Sequence, residues 1–309
     1  MRLLVTGASG FIGRHVLELL RRHGVAAWTL GRSLPGGWPS ANHLSCDLLA
    51  GGDDCAQSLR QLAPSHLLHL AWVTDPASYQ TTALNTDWQR ATCALAQSFS
   101  QAGGRHMVVA GSCAEYDWSQ GWCRENTTPL LPATPYGVAK DATRRWLQRH
   151  ATERGLRLAW GRIFFPFGAW QSAHRLIPAL LASLQGRRAA FPVQALQRRD
   201  FVSAADVALA LWTLLQTPAH GCYNISSAQP VAIADLVRML ARLLDADPAP
   251  VLAQAVAVVQ QPALVAGDNQ RLRALGWSGP TPLAEGLARM VAAAVPVPSA
   301  RDAAIDHGR

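Results

Sequence analysis

Residues 2–6, RLLVT, make a short run of mostly apolar side chains that stops at Gly7. When apolar positions return they do so as Val16, Leu17, Leu19 and Leu20, with Gly24 just beyond. The first run has the density of a buried strand. The second puts its aliphatic side chains on one face of a helix that ends at a glycine. The alternation continues: AAWTL (26–30), HLLHLAW (66–72), HMVVAGS (106–112) and RLAWGRIFF (157–165) are strand-like, and helical stretches at 83–102 and 136–153 lie between the later ones. Strands spaced by helices need crossover connections, so the pattern predicts a parallel sheet with helices on both faces.

Beyond residue 166 the rhythm changes. Helical segments near 173–186, 204–216, 232–245 and 282–294 are joined by Pro-containing loops and short strand-like pieces such as CYNI. The fold class expected is therefore α/β: a Rossmann-type doubly wound parallel sheet with a smaller mixed α/β lobe beside its C-terminal edge. Residues 1–165 form the sheet domain and 166–295 mainly the lobe, with some segments able to return to the sheet. Residues 296–309 have no periodicity and are expected to be a flexible tail.

Composition narrows the setting. The 309 residues are 49% hydrophobic and 16% charged, enough for a sizeable core. No apolar run approaches the roughly 18 residues of a membrane span, and the first strand runs into a glycine turn without a cleavage-type segment. No membrane association and a cytoplasmic location are expected. The net charge of +8 comes from basic residues scattered singly or in pairs, not from a block. That pattern argues against nucleic acid and leaves room for a small anionic ligand. Six cysteines show neither CxxC nor Cys/His ligand spacing, so they are expected to be reduced, mostly buried thiols without a metal.

Candidate chemistry starts at the first turn. Gly7, Gly10 and Gly13 stand in GxxGxxG spacing between strand and helix. Such glycines allow a tight turn, close approach of a pyrophosphate and close strand–helix packing, and the helix start offers free N–H groups. Ser9, Phe11 and Ile12 complete this dinucleotide-binding stretch. At the end of the second strand, where an NAD site commonly carries an acidic residue, the chain has Gly31 followed by Arg32. Glycine removes the repulsion of a 2′-phosphate and arginine can pair with it, so NADP(H) is favoured over NAD(H).

TPYGVAK places Tyr136 and Lys140 one helical turn apart on one face, and AGSCAEY ends a strand at Ser112. A phenol of pKa near 10 needs a neighbouring cation to act at neutral pH. Lys140 supplies one, and Ser112 can hydrogen-bond a substrate oxygen. Glu115 and Asp117 have solvent-facing roles as open to them as catalytic ones. His69 is expected to be a hydrogen-bonded core residue, and His174 is unassigned.

With TGASGFIG and YGVAK in this order, the chain resembles the extended short-chain dehydrogenase/reductase family over roughly residues 1–295, in particular its nucleotide-sugar epimerases, dehydratases and reductases. The resemblance implies that Asp47 of CDLL bonds the adenine amino group, with Leu48 beside it. It also implies that Ala71 lines the dinucleotide and that Asn85 of LNT supports the lysine through water. Arg199, in RRDFVSAADVALAL, becomes a diphosphate partner, and Cys113 and Phe165 join the substrate site. Relatives that dehydrate carry an Asp-Glu pair where this chain has Cys113 and Ala114, so dehydration is disfavoured. Those that epimerise at C3 and C5 carry a cysteine where Ala114 stands, and Cys113 is expected to be a buried, inert thiol. Many C4 epimerases carry asparagine at the place of Phe165, whereas FFPFG looks more like the deoxysugar reductases. The resemblance thus favours NAD(P)H-dependent reduction of an NDP-4-keto-6-deoxyhexose. NAD-dependent C4 epimerisation, ketoreduction of a non-nucleotide natural product in a pocket of tryptophans such as Trp118, Trp122 and Trp170, and a non-catalytic NADP(H)-binding regulator are the alternatives. A homodimer through the helices at 83–102 and 136–153 is expected, as in many relatives.

Overall fold

A computed structural model describes residues 1–51, 53–257 and 262–294. Its first strand, β1 (Leu3–Thr6), is buried along its whole length and leads into α1 (Phe11–Arg22). Then follow β2 (Ala27–Gly31), β3 (His43–Ser45), α2 (Asp53–Leu62) and β4 (His66–His69). After these come α3 (Leu84–Gln101), β5 (His106–Ser112) and α4 (Pro135–Arg154). Two further strands, Arg157–Ile163 and Gly221–Ile225, complete a seven-stranded sheet whose pairings are all parallel. Across it the strands lie in the order 221–225, 157–163, 106–112, 66–69, 3–6, 27–31, 43–45.

The two-residue period of the strands splits the interior into two cores. Leu3, Val5, Val108 and Ala159 face α1 and α6 (Ala204–Gln216), packing with Val16, Leu20, Leu211 and Leu214. Leu4, Met107, Val109 and Trp160 face the opposite way, onto Leu95, Phe99, Leu147 and Ala151 of α3 and α4. Strands apolar on both faces are what a helix-covered parallel sheet requires. The strand order reverses beside β1, and in open α/β sheets ligands bind outside the carboxyl ends of the strands at such a point.

Several sequence expectations shift. The strand at 66–72 ends at His69, and 157–165 breaks at Phe164. Phe165–Phe167 pairs instead with Phe201–Ser203. The helix expected at 173–186 is α5 (Leu176–Leu184), and CYNI belongs to the seventh strand of the main sheet. β3 and α2 escaped the pattern because β3 is three residues long and only half-buried. α5, α7 (Ile233–Leu244) and the last helix, Leu283–Ala294, build a third core around Leu180, Leu236, Leu240 and Leu287. The expected tail at 296–309 lies outside the described residues. Among the described residues, no helix is long and apolar enough to cross a membrane.

The cysteine expectation needs correcting. Cys46 and Cys55 are joined as a disulfide, their Cα atoms 5.7 Å apart, whereas Cys93, Cys113, Cys123 and Cys222 are free. The two Cα atoms lie within disulfide range, a closure that no short Cys-spacing motif signals.

Candidate active site

At the end of β1 the chain turns at glycine. Gly7 has φ +69°, and a Cβ there would lie 2.6 Å from the Ala71 backbone nitrogen. A Cβ on Gly13 would lie 2.2 Å from the Gly7 carbonyl oxygen, so α1 can approach β1 only with glycine at this place. Gly10 is the N-cap of α1 and donates its own N–H to Gly7 O at 3.0 Å. The first-turn amides of α1 have no partners within the helix and border a cleft of about 730 Å³ that reaches from this turn to β5 and α4. Gly7, Ser9, Gly10, Phe11, Ile12, Gly13, Arg32, Asp47, Leu48 and Ala71 all line it. A glycine cradle that side chains would fill, opening onto a helix N-terminus, fits a dinucleotide pyrophosphate.

The other end of the cleft holds the reactive side chains. β5 stops at Ser112, which caps the short turn Cys113–Glu115: its Oγ accepts from Ala114 N at 3.2 Å. α4 is begun by Thr134, whose Oγ1 accepts from Gly137 N at 3.2 Å, with Pro135 in the first turn. Gly137 lets α4 press onto that turn, since a Cβ there would meet Ala114 O at 2.3 Å. The contact brings Tyr136 beside Ser112, near enough for the serine hydroxyl to favour the phenolate. One turn on, Lys140 donates from Nζ to Ala110 O at 2.9 Å and lies 5.9 Å from the centre of the Tyr136 ring. Ser112, Tyr136 and Lys140 thus line one wall together.

Their electrostatics differ from the sequence expectation. Burial pushes the Tyr136 phenol above its ordinary value, with the Ser112 hydroxyl pulling the other way. Burial also lowers the Lys140 ammonium to about 7, against the attraction of Glu115. Loss of water therefore outweighs any help the ammonium gives the phenolate, and the tyrosine is held in its protonated form.

Glu115 does not face solvent. It is fully buried, accepting from Ser112 N at 2.8 Å, from Trp160 Nε1 at 2.9 Å and from Arg162 Nε at 2.8 Å. Arg162 continues to the Tyr116 hydroxyl, which donates to Asn224. Asp117 caps the turn Trp118–Gln120. Cys113 lines the cleft but is buried, which drives its thiol well above the ordinary range and leaves it protonated. Phe165 lines the cleft beside Trp118 and Phe201.

Two expected site residues stand back from the cleft lining. Asn85 is buried, and its Oδ1 accepts from Trp72 Nε1 at 2.9 Å while its Nδ2 donates to Tyr79 O and Thr82 O. Arg199 donates to the carbonyls of Arg198 and Pro262 and lies over the Phe165 ring. Trp118 and Trp170 line the cleft, whereas Trp122 and His174 do not. Trp72, Tyr79 and Arg175 are lining residues that the sequence patterns did not single out. Trp72 directly follows the Ala71 already chosen, which was a usable signal. Tyr79 and Arg175 sit in loops without periodicity.

His69 is a core residue, as expected. Its ring bonds Thr6 Oγ1 at 2.7 Å and Thr92 Oγ1 at 2.9 Å, and burial with the charge of Lys140 lowers it to about 3. In the unfolded chain the ring takes up a proton below about 6.5. The unfolded state then binds more protons than the folded one, so this contribution is complete above pH 6.5 and is lost as pH falls from 6.5 towards about 3. Urea midpoints should decline across that window. A His69→Gln variant, neutral in both states, should show a shallower decline, and an equal slope in the two proteins would contradict this assignment.

Residues 3–226 match the NAD dependent epimerase/dehydratase family. The chain belongs to that family. It is an enzyme of the extended short-chain dehydrogenase/reductase type, dependent on a nicotinamide dinucleotide. It is 28% identical over 242 residues, 77% of this chain and 88% of the relative, to dTDP-6-deoxy-L-talose 4-dehydrogenase (NAD(+)) of Aggregatibacter actinomycetemcomitans. It is also 28% identical over 292 residues, 87% of this chain and 86% of the relative, to GDP-6-deoxy-D-mannose reductase of Pseudomonas aeruginosa. Its fold matches Thermus thermophilus UDP-glucose 4-epimerase, in complex with NAD, with a TM-score of 0.81, 23% identity, and 95% and 98% of the two chains covered.

Proposed function

We propose that this enzyme reduces the C4 ketone of a nucleoside-diphosphate 4-keto-6-deoxyhexose, with NADPH as the preferred donor. The observation that carries this reading is the makeup of the wall at Ser112: a hydroxyl, a protonated phenol and an ammonium, with no acid pair directly after the serine. Cys113 and Ala114 follow the serine, and the next acid, Glu115, is engaged by Arg162, Trp160 and the Ser112 backbone. Removing a 6-hydroxyl needs an acid–base pair there, whereas ketone reduction does not. The two relatives named for oxidation or reduction of 6-deoxyhexoses support the same choice.

The reduced nicotinamide supplies the hydride when bound. The chain supplies the rest. Ser112 donates a hydrogen bond to the C4 carbonyl oxygen, and Tyr136 delivers its proton to that oxygen as the carbon is reduced, leaving an alcohol. The raised affinity of Tyr136 for its proton keeps the donor loaded at neutral pH. Lys140 offers further N–H groups to the nicotinamide ribose and a positive charge to the phenolate left after transfer. Cys113 and Phe165 wall the sugar, and Arg175 on the lining, with Arg199 behind Phe165, provides positive charge for the diphosphate.

NADPH preference rests on Arg32, which is exposed at the cleft beside Gly31. Arg32→Ala should raise the Kd for NADPH about tenfold or more and change that for NADH little. Equal small losses for both would remove the argument. A homodimer through α3 and α4 and a cytoplasmic location belong to the same proposal.

The reading is tested by a panel of nucleoside-diphosphate 4-keto-6-deoxy sugars with NADPH or NADH. Consumption of reduced cofactor supports it. Interconversion of UDP-hexoses without added cofactor would replace it with C4 epimerisation.

A further inference from the structure

Lys140 rests on an aromatic face. Its Nζ lies 3.7 Å from the centre of the Trp72 ring, closer than its 5.9 Å to the Tyr136 ring. The indole is itself held: Nε1 donates to Asn85 Oδ1 at 2.9 Å, and Trp88 stacks beside it at 6.3 Å. Asn85 is fixed in turn by its bonds to Tyr79 O at 2.7 Å and Thr82 O at 3.0 Å. The residue that the resemblance assigned to support the lysine through water here buttresses a tryptophan, and the tryptophan meets the lysine.

We propose that Trp72 is a positioning residue whose indole face holds the Lys140 ammonium in place and in its charged form. A cation over an indole is attracted by the negative face of the ring, and most strongly where water is excluded. Few other groups near Lys140 can do this work. From β5 the Ala110 carbonyl accepts one N–H. From the turn after β5 Glu115 attracts the charge, but Arg162 and Arg144 already face its carboxylate. From β4 His69 is neutral, and on α4 itself Tyr136 is protonated and Asp141 is paired with Arg144 and Arg145. Burial alone draws Lys140 towards discharge near neutrality, so the ring face opposes that loss.

The inference depends on the proposed reaction only for what Lys140 is used for; its geometry and charge can be read without any substrate. Lys140 is the sole lysine of the chain, all other members of the 28 Lys and Arg residues being arginine. Full-length protein made with lysine isotope-labelled at Cε therefore gives a single lysine signal by NMR. In the wild type the Hε resonances should lie well upfield of an exposed lysine, from the ring current of Trp72. Trp72→Leu, which keeps an apolar side chain without a π face, should abolish that upfield shift. It should also lower the titration midpoint of Lys140 by about one pH unit, a tenfold change in protonation. Trp72→Phe should keep most of both effects. Wild-type resonances at the exposed position would overturn the proposal, as would an unchanged or higher midpoint in a folded leucine variant. If the leucine variant does not fold, the wild-type shift and the phenylalanine variant still decide. A reductase assay that fails while the NMR holds would sink only the substrate reading.

Discussion

Tyr136→Phe should leave dinucleotide affinity within about twofold of the wild type and lower kcat about a thousandfold, the range expected for losing a positioned proton donor. The phenol lies beside Ser112 on the cleft wall, and the backbone N–H of Tyr136 is fixed by Gln80 O at 3.1 Å. The phenylalanine ring keeps the edge contact with Tyr79, whose centre lies 5.1 Å away. Only the hydroxyl group is removed. Fluorescence titration with the reduced cofactor and steady-state turnover separate the two effects. A Phe variant that turns over at the wild-type rate would remove Tyr136 from the chemistry.

Glu115→Ala should destabilise the fold by about 3–5 kcal/mol, the usual cost of leaving one member of a buried ion pair alone. The deletion leaves Arg162 Nε and Trp160 Nε1 without their acceptor and frees the Ser112 N–H. Glu115→Gln retains an acceptor for the indole and should lose less. Urea midpoints measure both. An alanine variant as stable as the wild type would mean that the network under Ser112 adds nothing to the fold. Because Glu115 also fixes the Ser112 backbone, the Ala variant should show lower kcat than its stability loss explains, and Gln, which keeps the acceptor oxygen, should not.

What the sequence displayed well were units closed on themselves. GxxGxxG states a backbone constraint, since Gly13 cannot carry a Cβ beside Gly7 O. Tyr136 and Lys140 are one turn apart on α4, so helical geometry alone puts them on one face. Ser112 could be placed because its strand is apolar up to the turn. Glu115 was ambiguous because its burial depends on Trp160 and Arg162, from a strand that begins only at Arg157. Trp72 followed a motif, but nothing local reveals that an ammonium from α4 sits on it. Cys46 and Cys55 meet through a loop of no recognisable spacing, and Arg199 is turned towards backbone carbonyls by packing that only the folded lobe defines.

The central claim is that this cleft passes a hydride to a sugar C4 ketone while Tyr136 protonates its oxygen. It is tested most directly with reduced nicotinamide deuterated at its C4 position and a nucleoside-diphosphate 4-keto-6-deoxyhexose. The product should carry one deuterium, at the sugar C4, and the Tyr136→Phe variant should form almost none of it. A sugar product without deuterium, or none formed from any 4-keto substrate, would contradict the account.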